Sequence, residues 1–275
     1  MSDSGNGWAI NTEALTRQFG KLTAVDRLNL DVPRGVIFGF LGPNGAGKST
    51  TINMLVGLLR PSAGRARVAG FDVQAEPLQV KQRIGVVPEG LSMYERLTAS
   101  EQVELVGRLH GLSREELDRR IPPLLEMLGL HDSANKMILD YSAGMRKKTA
   151  MASALIHAPE VLFLDEPFES VDPISTRAIK NILRDMATQR GTTVFFSTHV
   201  MELAERFCDQ VGILNKGSLV ATGSIPELRQ RAGLSEAAPL EDVFVHSVHA
   251  ETAGLPDEDL LTWLTRRDSG AQAAA

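Results

Sequence analysis

The chain has 275 residues, 43% hydrophobic and 23% charged, with a formal net charge of -5. That composition excludes a disordered or membrane-embedded protein and allows one large domain or a core with a smaller lobe. The acidic balance argues against a nucleic-acid partner, which calls for a basic face, and the lone Cys208 fits a reducing compartment as a small buried apolar residue.

Residues 1–9 carry Asp3 and lack the basic stretch and apolar core of a secretory leader. The longest apolar runs, such as residues 161–164, fall far short of the roughly 18 a membrane span needs. The chain is therefore expected to be soluble by itself.

Short β-type runs bounded by Gly, Pro and Asn recur at residues 36–41, 83–87, 160–164, 192–197 and 210–214. Several are apolar throughout, which suits strands buried on both faces of a sheet. Ile52, Leu55, Val56 and Leu59 fall at helical spacing after the first run, and Ile179, Ile182, Leu183 and Met186 do so before the fourth. Strands alternating with helices predict a largely parallel α/β sheet. Residues 98–157 differ, with helical periodicity (Val103, Leu105, Val106, Leu109; Leu124, Leu125, Met127, Leu128) and no clear strand. The expected organisation is a core over 8–97, an inserted helical lobe over 98–157, a second part of the core over 158–224, and an appendage over 225–275. The appendage carries an apolar cluster of Leu240, Val243, Phe244 and Val245 and ends in a frayed Ala/Gly/Ser-rich tail at 268–275. No internal repeat is found, so there is one such module.

Gly42-Pro43-Asn44-Gly45-Ala46-Gly47-Lys48-Ser49 fits the phosphate-loop spacing of Gly, four residues, Gly-Lys-Ser/Thr. A chance match in this length is on the order of one in a hundred, and the loop lies between a predicted strand and a predicted helix, as its chemistry requires. Glycines let backbone N–H groups wrap a phosphate, and the helix N-terminus adds partial positive charge. Lys48 can reach the β- and γ-phosphates of a nucleoside triphosphate, and the Ser49 hydroxyl can ligate Mg²⁺.

The apolar run Val161-Leu162-Phe163-Leu164 ends in Asp165-Glu166-Pro167. A buried strand delivering carboxylates at its C-terminal end puts them where α/β proteins bind ligands. Asp165 is expected to hold Mg²⁺ directly or through water, and Glu166 to polarise an attacking water.

With these elements placed, residues 9–224 resemble the ATP-binding cassette (ABC) family of transporter ATPases. Tyr141-Ser142-Ala143-Gly144-Met145 is similar to the family signature, Leu-Ser-Gly-Gly-Gln in its usual form. Asp172 resembles the D-loop aspartate, His199 in Ser197-Thr198-His199 the switch histidine, and Phe19 the aromatic that stacks on adenine. The resemblance implies a P-loop NTPase core with a small N-terminal antiparallel β part, and nucleotide contacts from Phe19 and from Gly42 through Thr50. It also implies catalytic roles for Lys48, Glu166 and His199, and a signature (Ser142, Ala143, Gly144, Met145) that closes over ATP held by a partner. One phosphate loop and one signature imply a second copy of the chain or a paired cassette.

Ser142 precedes a helical stretch and can N-cap it, making a second anion site. Arg146, Lys147 and Lys148 follow where the macrodipole disfavours cations by ~0.3–1 kcal/mol each. A phosphate or acidic surface offsets that, or the three are solvated on an outward face; both readings stay open.

Three departures stand out. Glu89 replaces the family's usual Gln after Val86-Val87-Pro88, and its carboxylate is expected to keep a Mg²⁺-sensing role with added charge. Ala143 and Met145 replace a Gly and the Gln of the signature. Glu169-Ser170-Val171 departs from the common lead-in to the D-loop. Val87-Pro88-Glu89, Tyr94-Glu95-Arg96-Leu97-Thr98 and Leu240-Glu241-Asp242-Val243-Phe244 resemble separate ATPase subunits of bacterial multidrug or ABC-2 type exporters. The implied partner is an integral membrane permease on a separate chain, met by the 89–98 region and the helical lobe. The subunit is then expected at the cytoplasmic face of the membrane. A soluble non-transport ABC ATPase and a nucleotide switch without turnover are the alternatives.

Overall fold

A computed structural model describes residues 7–91, 93–169 and 171–252, apart from the side chains of 249–252. The readings made on residues 1–6, on Ser170 and on the tail at 268–275 lie outside the described residues.

Two long strands open the fold, β1 (Trp8–Phe19) and β2 (Leu22–Pro33). β3 (Ile37–Leu41) runs through the phosphate loop into α1 (Lys48–Leu55). β4 (Ala63–Val68), β5 (Phe71–Asp72), α2 (Pro77–Arg83) and β6 (Ile84–Val87) follow. The next segment holds α3 (Ala99–Leu109), α4 (Arg114–Met127) and α5 (Ala143–Leu155). The chain then alternates through β7 (Val161–Asp165), α6 (Pro173–Arg190), β8 (Thr193–Thr198), α7 (Met201–Phe207) and β9 (Gln210–Asn215). β10 (Ser218–Gly223), α8 (Ile225–Arg231) and α9 (Leu240–Thr252) close it.

The strands form two sheets. One is four-stranded and antiparallel, in the order β2-β1-β4-β5. The other has six strands in the order β10-β9-β3-β8-β7-β6, parallel except at the β10 edge. The five β-type runs of the sequence are these five parallel strands. Their unbroken hydrophobicity follows from burial on both faces. Leu162 and Leu164 of β7, with Val194 and Phe196 of β8, join a core shared with α3 to α6. Val161, Phe163 and Phe195 point the other way, into a core with β1, β2, β4 and α1. On that side Phe195 stacks on Phe38 at 5.5 Å and meets Phe40 and Phe163 at 5.2 and 5.6 Å. Each fully buried Phe stabilises the fold by roughly 1.5–3 kcal/mol.

The helical segment has no core of its own: Val103, Leu117 and Ile121 belong to the same cluster as the strand residues Leu162 and Leu164. Capping boxes at Thr98 and Ser113 start α3 and α4. Not every periodic apolar residue goes inward, and Leu109 and Met127 are exposed. The C-terminal helices pack on a third cluster with Met201, Val211 and Ile213, into which Leu240 and Val243 insert with Phe244 against them. Val245, grouped with these from the sequence, faces outward, because adjacent helical residues point about 100° apart. Glu205 pairs with Arg229 and accepts the Leu240 N–H, which fixes the start of α9. Cys208 packs on Gly39, where an added Cβ would lie 2.6 Å from its Sγ, and burial pushes its thiol up.

The helical segment is tied back to the sheet edge by His157, just beyond α5, which bonds the Ile84 carbonyl at 2.9 Å and stacks on His110 of the turn after α3 at 3.6 Å. Burial, with His110 beside it, pushes His157 down from 6.5 to about 4. The unfolded chain therefore binds the extra proton first. Stability is complete above about pH 6.5 and falls as pH drops towards 4. His157→Gln, which keeps a donor for Ile84, is expected to flatten that slope in urea unfolding followed across this range.

Candidate nucleotide site

The parallel strands β3, β8, β7 and β6 deliver their C-terminal ends to one edge of the sheet, where open α/β sheets bind ligands. A cleft of about 440 Å³ lies there, lined by Phe19, Leu22, Ala24, Asn44, Gly45, Gly47, Lys48, Ser49, Thr50, Glu89 and Glu166. Residues from four separate stretches of the sequence thus meet in one place.

The loop between β3 and α1 is shaped by contacts that tolerate no side chain. A Cβ on Gly42 would lie 2.3 Å from the Leu214 carbonyl oxygen, and one on Gly47 would lie 2.4 Å from that of Ala24. Gly47 is the N-cap of α1 at φ 105°, and no side chain caps that helix start or adds an acid to its first turn. Its leading amides and partial positive charge are directed at the cleft without a built-in anion. Buried Lys48 donates to the carbonyls of Gly42 and Pro43 at 2.8 and 3.2 Å, and its Nζ lies 3.7 Å from Glu166 Oε1.

Asp165 and Glu166 are both buried. Ser197 of β8, paired in register with Asp165, donates from Oγ to Asp165 Oδ1 and accepts the Glu166 N–H at 3.1 Å. Glu166 has a left-handed backbone, φ 45°, which costs on the order of 1–3 kcal/mol for a non-glycine residue. Surrounding bonds hold it there. His199, just past β8, contacts Glu166 Oε1 through Nδ1 at 3.0 Å. Lys147 of α5 donates to the Glu166 carbonyl oxygen at 2.5 Å.

Phe19 closes the far end of the cleft. One face of its half-exposed ring carries the Arg17 guanidinium at 4.5 Å. Neither Asp165 nor His199 lines the cleft; Asp165 is joined to Glu166 through Ser197, and His199 contacts the Glu166 carboxylate. The signature residues Ser142, Ala143, Gly144 and Met145 do not line it either. Ser142 N-caps α5 by accepting the Met145 N–H at 3.2 Å, as expected from its position. Asp172 also stands apart, capping α6 through the Ser175 N–H at 2.9 Å, and hydrogen bonding from the Ser175 side chain and then its N–H holds its carboxyl below the usual range.

The three cations after the signature divide. Arg146 pairs with Glu95 at 3.4 Å and Lys148 is partly exposed, but Lys147 is only 6% exposed. The outward, solvated reading of Lys147 is thereby corrected. Two contributors to the site were missed from the sequence, Ser197 as a bridge and Lys147 as an inward cation. The signal for Lys147 was its helical phase, four residues before Met151 and eight before Leu155 on the buried face of α5.

Comparison with known proteins agrees with this geometry. The family model described as "ABC transporter" matches residues 25–169. The daunorubicin/doxorubicin resistance ATP-binding protein DrrA of Streptomyces peucetius is 40% identical over 225 residues, spanning 82% of this chain and 68% of that protein. This chain belongs to the ABC transporter family. It is an ATP-binding ABC ATPase. A solved ATP-binding subunit of an ABC transporter superposes with a TM-score of 0.82 at 30% identity, covering 87% of this chain and 99% of that one. The ATP-binding cassette MJ0796, solved as a dimer in a post-hydrolysis state with ADP and Pi, superposes with a TM-score of 0.73 at 25% identity, covering 78% and 98%.

In this ABC ATPase, Ser197→Ala would strand a buried N–H at Glu166 and remove a donor from Asp165. A loss of about 1–3 kcal/mol is expected, read from urea unfolding at neutral pH; an unchanged midpoint would count against the bridge.

Proposed function

We propose that the chain is the ATP-hydrolysing subunit of a bacterial exporter, working as a dimer or paired cassette beneath a separate integral membrane permease. The observation that carries this is the convergence of Lys48 and His199 on one oxygen of buried Glu166, beside the phosphate loop. The loop amides of Gly42 to Thr50 cradle the phosphates, Phe19 offers its open face to adenine, and Lys48 exchanges loop carbonyls for phosphate oxygens.

Ser49, Asp165 and Glu89 offer hydroxyl and carboxylate oxygens, a donor set that fits Mg²⁺, which takes one or two carboxylates along with phosphate oxygens. The ion, when bound, offsets charge on the phosphates. Glu166 orients a water and accepts its proton as the water oxygen bonds to the γ-phosphorus. The bond to the β-phosphate oxygen breaks, leaving ADP and phosphate. His199 keeps the Glu166 carboxylate aimed through Nδ1.

Signature residues Ser142 to Met145 lie at an exposed helix start outside the chain's own cleft, an arrangement suited to closing on ATP held by a second cassette. The daunorubicin resistance relative favours export as the direction. Among the described residues no helix is long and apolar enough to cross a membrane, and a peripheral position at the cytoplasmic face follows from a permease partner. A groove of about 580 Å³ between α2, β6, α3 and α5, rimmed by the exposed Leu78 and Leu109, suits the permease's cytoplasmic segments.

Three expected outcomes test this. Lys48→Ala and Glu166→Gln should each lower Mg-ATP turnover by at least about 100-fold, and Glu166→Gln should sediment as a dimer with saturating ATP. Tight ATP binding without turnover in the unaltered chain, with or without permease, would leave a nucleotide switch instead. Leu109→Glu should leave basal turnover intact and remove stimulation by the permease in lipid; retained stimulation would exclude the groove.

A further inference from the structure

Lys147 stands in the second turn of the helix that Ser142 caps. It is 6% exposed, and its Nζ is bonded to a backbone oxygen, that of Glu166. An ammonium in such a place loses hydration that a single carbonyl does not replace. Burial pushes it below the usual lysine range, opposed by the surrounding Glu169, Glu166, Glu89 and Asp165. Its Nζ is attached to the one residue among these four with a left-handed backbone, Glu166.

That attachment joins two parts of the molecule that touch different ligands in the reading above. Ser142 at the start of α5 is exposed, outside the cleft, while Glu166 lines it. Five residues separate Ser142 from Lys147, just over one helical turn, so the two move together if the helix shifts. On the other side of the Glu166 Cα, its N–H is held by Ser197 of β8, a fully buried residue of the sheet. A displacement of α5 relative to the sheet thus pulls on the Glu166 carbonyl while its N–H stays fixed, and rotation about the N–Cα bond between them swings the side chain.

We propose that Lys147 is a positioning residue of the ATPase reaction, transmitting the setting of the signature helix to Glu166 through the Glu166 carbonyl oxygen. The proposal rests on the reading of Glu166 as the group that orients water. Lys147 itself does not line the cleft. Its loss leaves the phosphate loop and Phe19 unaltered, so ATP affinity is retained while turnover falls.

The test uses the full chain with Mg-ATP, comparing the unaltered protein with Lys147→Met, Lys147→Leu and Lys147→Arg. Phosphate release gives kcat and KM, and equilibrium ATP binding is measured on the same preparations. Lys147→Met should lower kcat by about 10- to 100-fold, the scale of a misplaced reacting group, with ATP affinity within about threefold. Lys147→Arg, which still donates to a carbonyl, should recover at least part of the rate, and Lys147→Leu, which like Met has nothing to donate, covers the case in which Met does not fold. Turnover of the Met and Leu variants, or of whichever of them folds, within about threefold of the unaltered chain would overturn the proposal. Parallel losses of kcat, ATP affinity and melting temperature in all three would do so too, by marking a purely structural lysine. An unaltered chain without phosphate release would overturn the ATPase reading itself, and this proposal with it.

Discussion

The site depends on one strained residue. Glu166 sits at φ 45°, a conformation its side chain disfavours, at the point where β7 leaves the sheet. An ordinary extended continuation would carry the next residues onward past the sheet edge. The turn instead lifts Glu166 into the cleft and sends Phe168 back to pack edge-on against Phe196 and Phe207 at 5.9 and 6.1 Å. Four contacts hold the peptide and side chain: Ser197 on the N–H, Lys147 on the carbonyl, His199 and Lys48 on Oε1. They come from β8, α5, the turn after β8 and α1. The strand order makes this possible, since β8 lies between β3 and β7 and carries Ser197 and His199 between the phosphate loop and the carboxylates.

Charge explains why the same residues need one another. Asp165, Glu166 and Glu89 gather at one edge of the sheet, where a nucleoside triphosphate would add still more negative charge. Like charges brought together in a partly buried site repel one another. Lys48, Lys147, the first-turn amides of α1 and a divalent cation are the available compensation. Replacing the family's usual amide by Glu89 adds one more carboxylate to that set, and Lys147 is the fixed cation within its electrostatic reach. The added carboxylate of Glu89 and the buried ammonium of Lys147 therefore attract one another across the site.

The legible parts of this design were those encoded in contiguous residues. A phosphate loop must be written as one run, because its amides have to point at one anion. The parallel strands were legible because burial on both faces leaves an unbroken apolar run. β1 and β2 were hidden because Ala14 and Arg27, both at φ 45°, and several register shifts break their alternation. β10 is half-buried along its whole length and gives no contrast to read. At the site, Glu166 and His199 could be found by motif, but the bridge through Ser197 needed the register of β7 against β8. Whether Lys147 pointed inward depended on how α5 meets the sheet, a contact across 19 positions of sequence.

The burial of Lys147 is difficult to explain by stability alone. Buried ion pairs and cations gain little over well-packed apolar residues of similar size, and replacing them is often neutral or stabilising. The neighbouring positions on the same face of α5 are filled by Met151, Ala152 and Leu155, which do pack as core. A methionine at 147 would fill similar space without the desolvation of an ammonium. What it could not do is donate to the Glu166 carbonyl. That peptide, strained and carrying a carboxylate that must point one way, is where a directional donor has an effect that packing cannot replace.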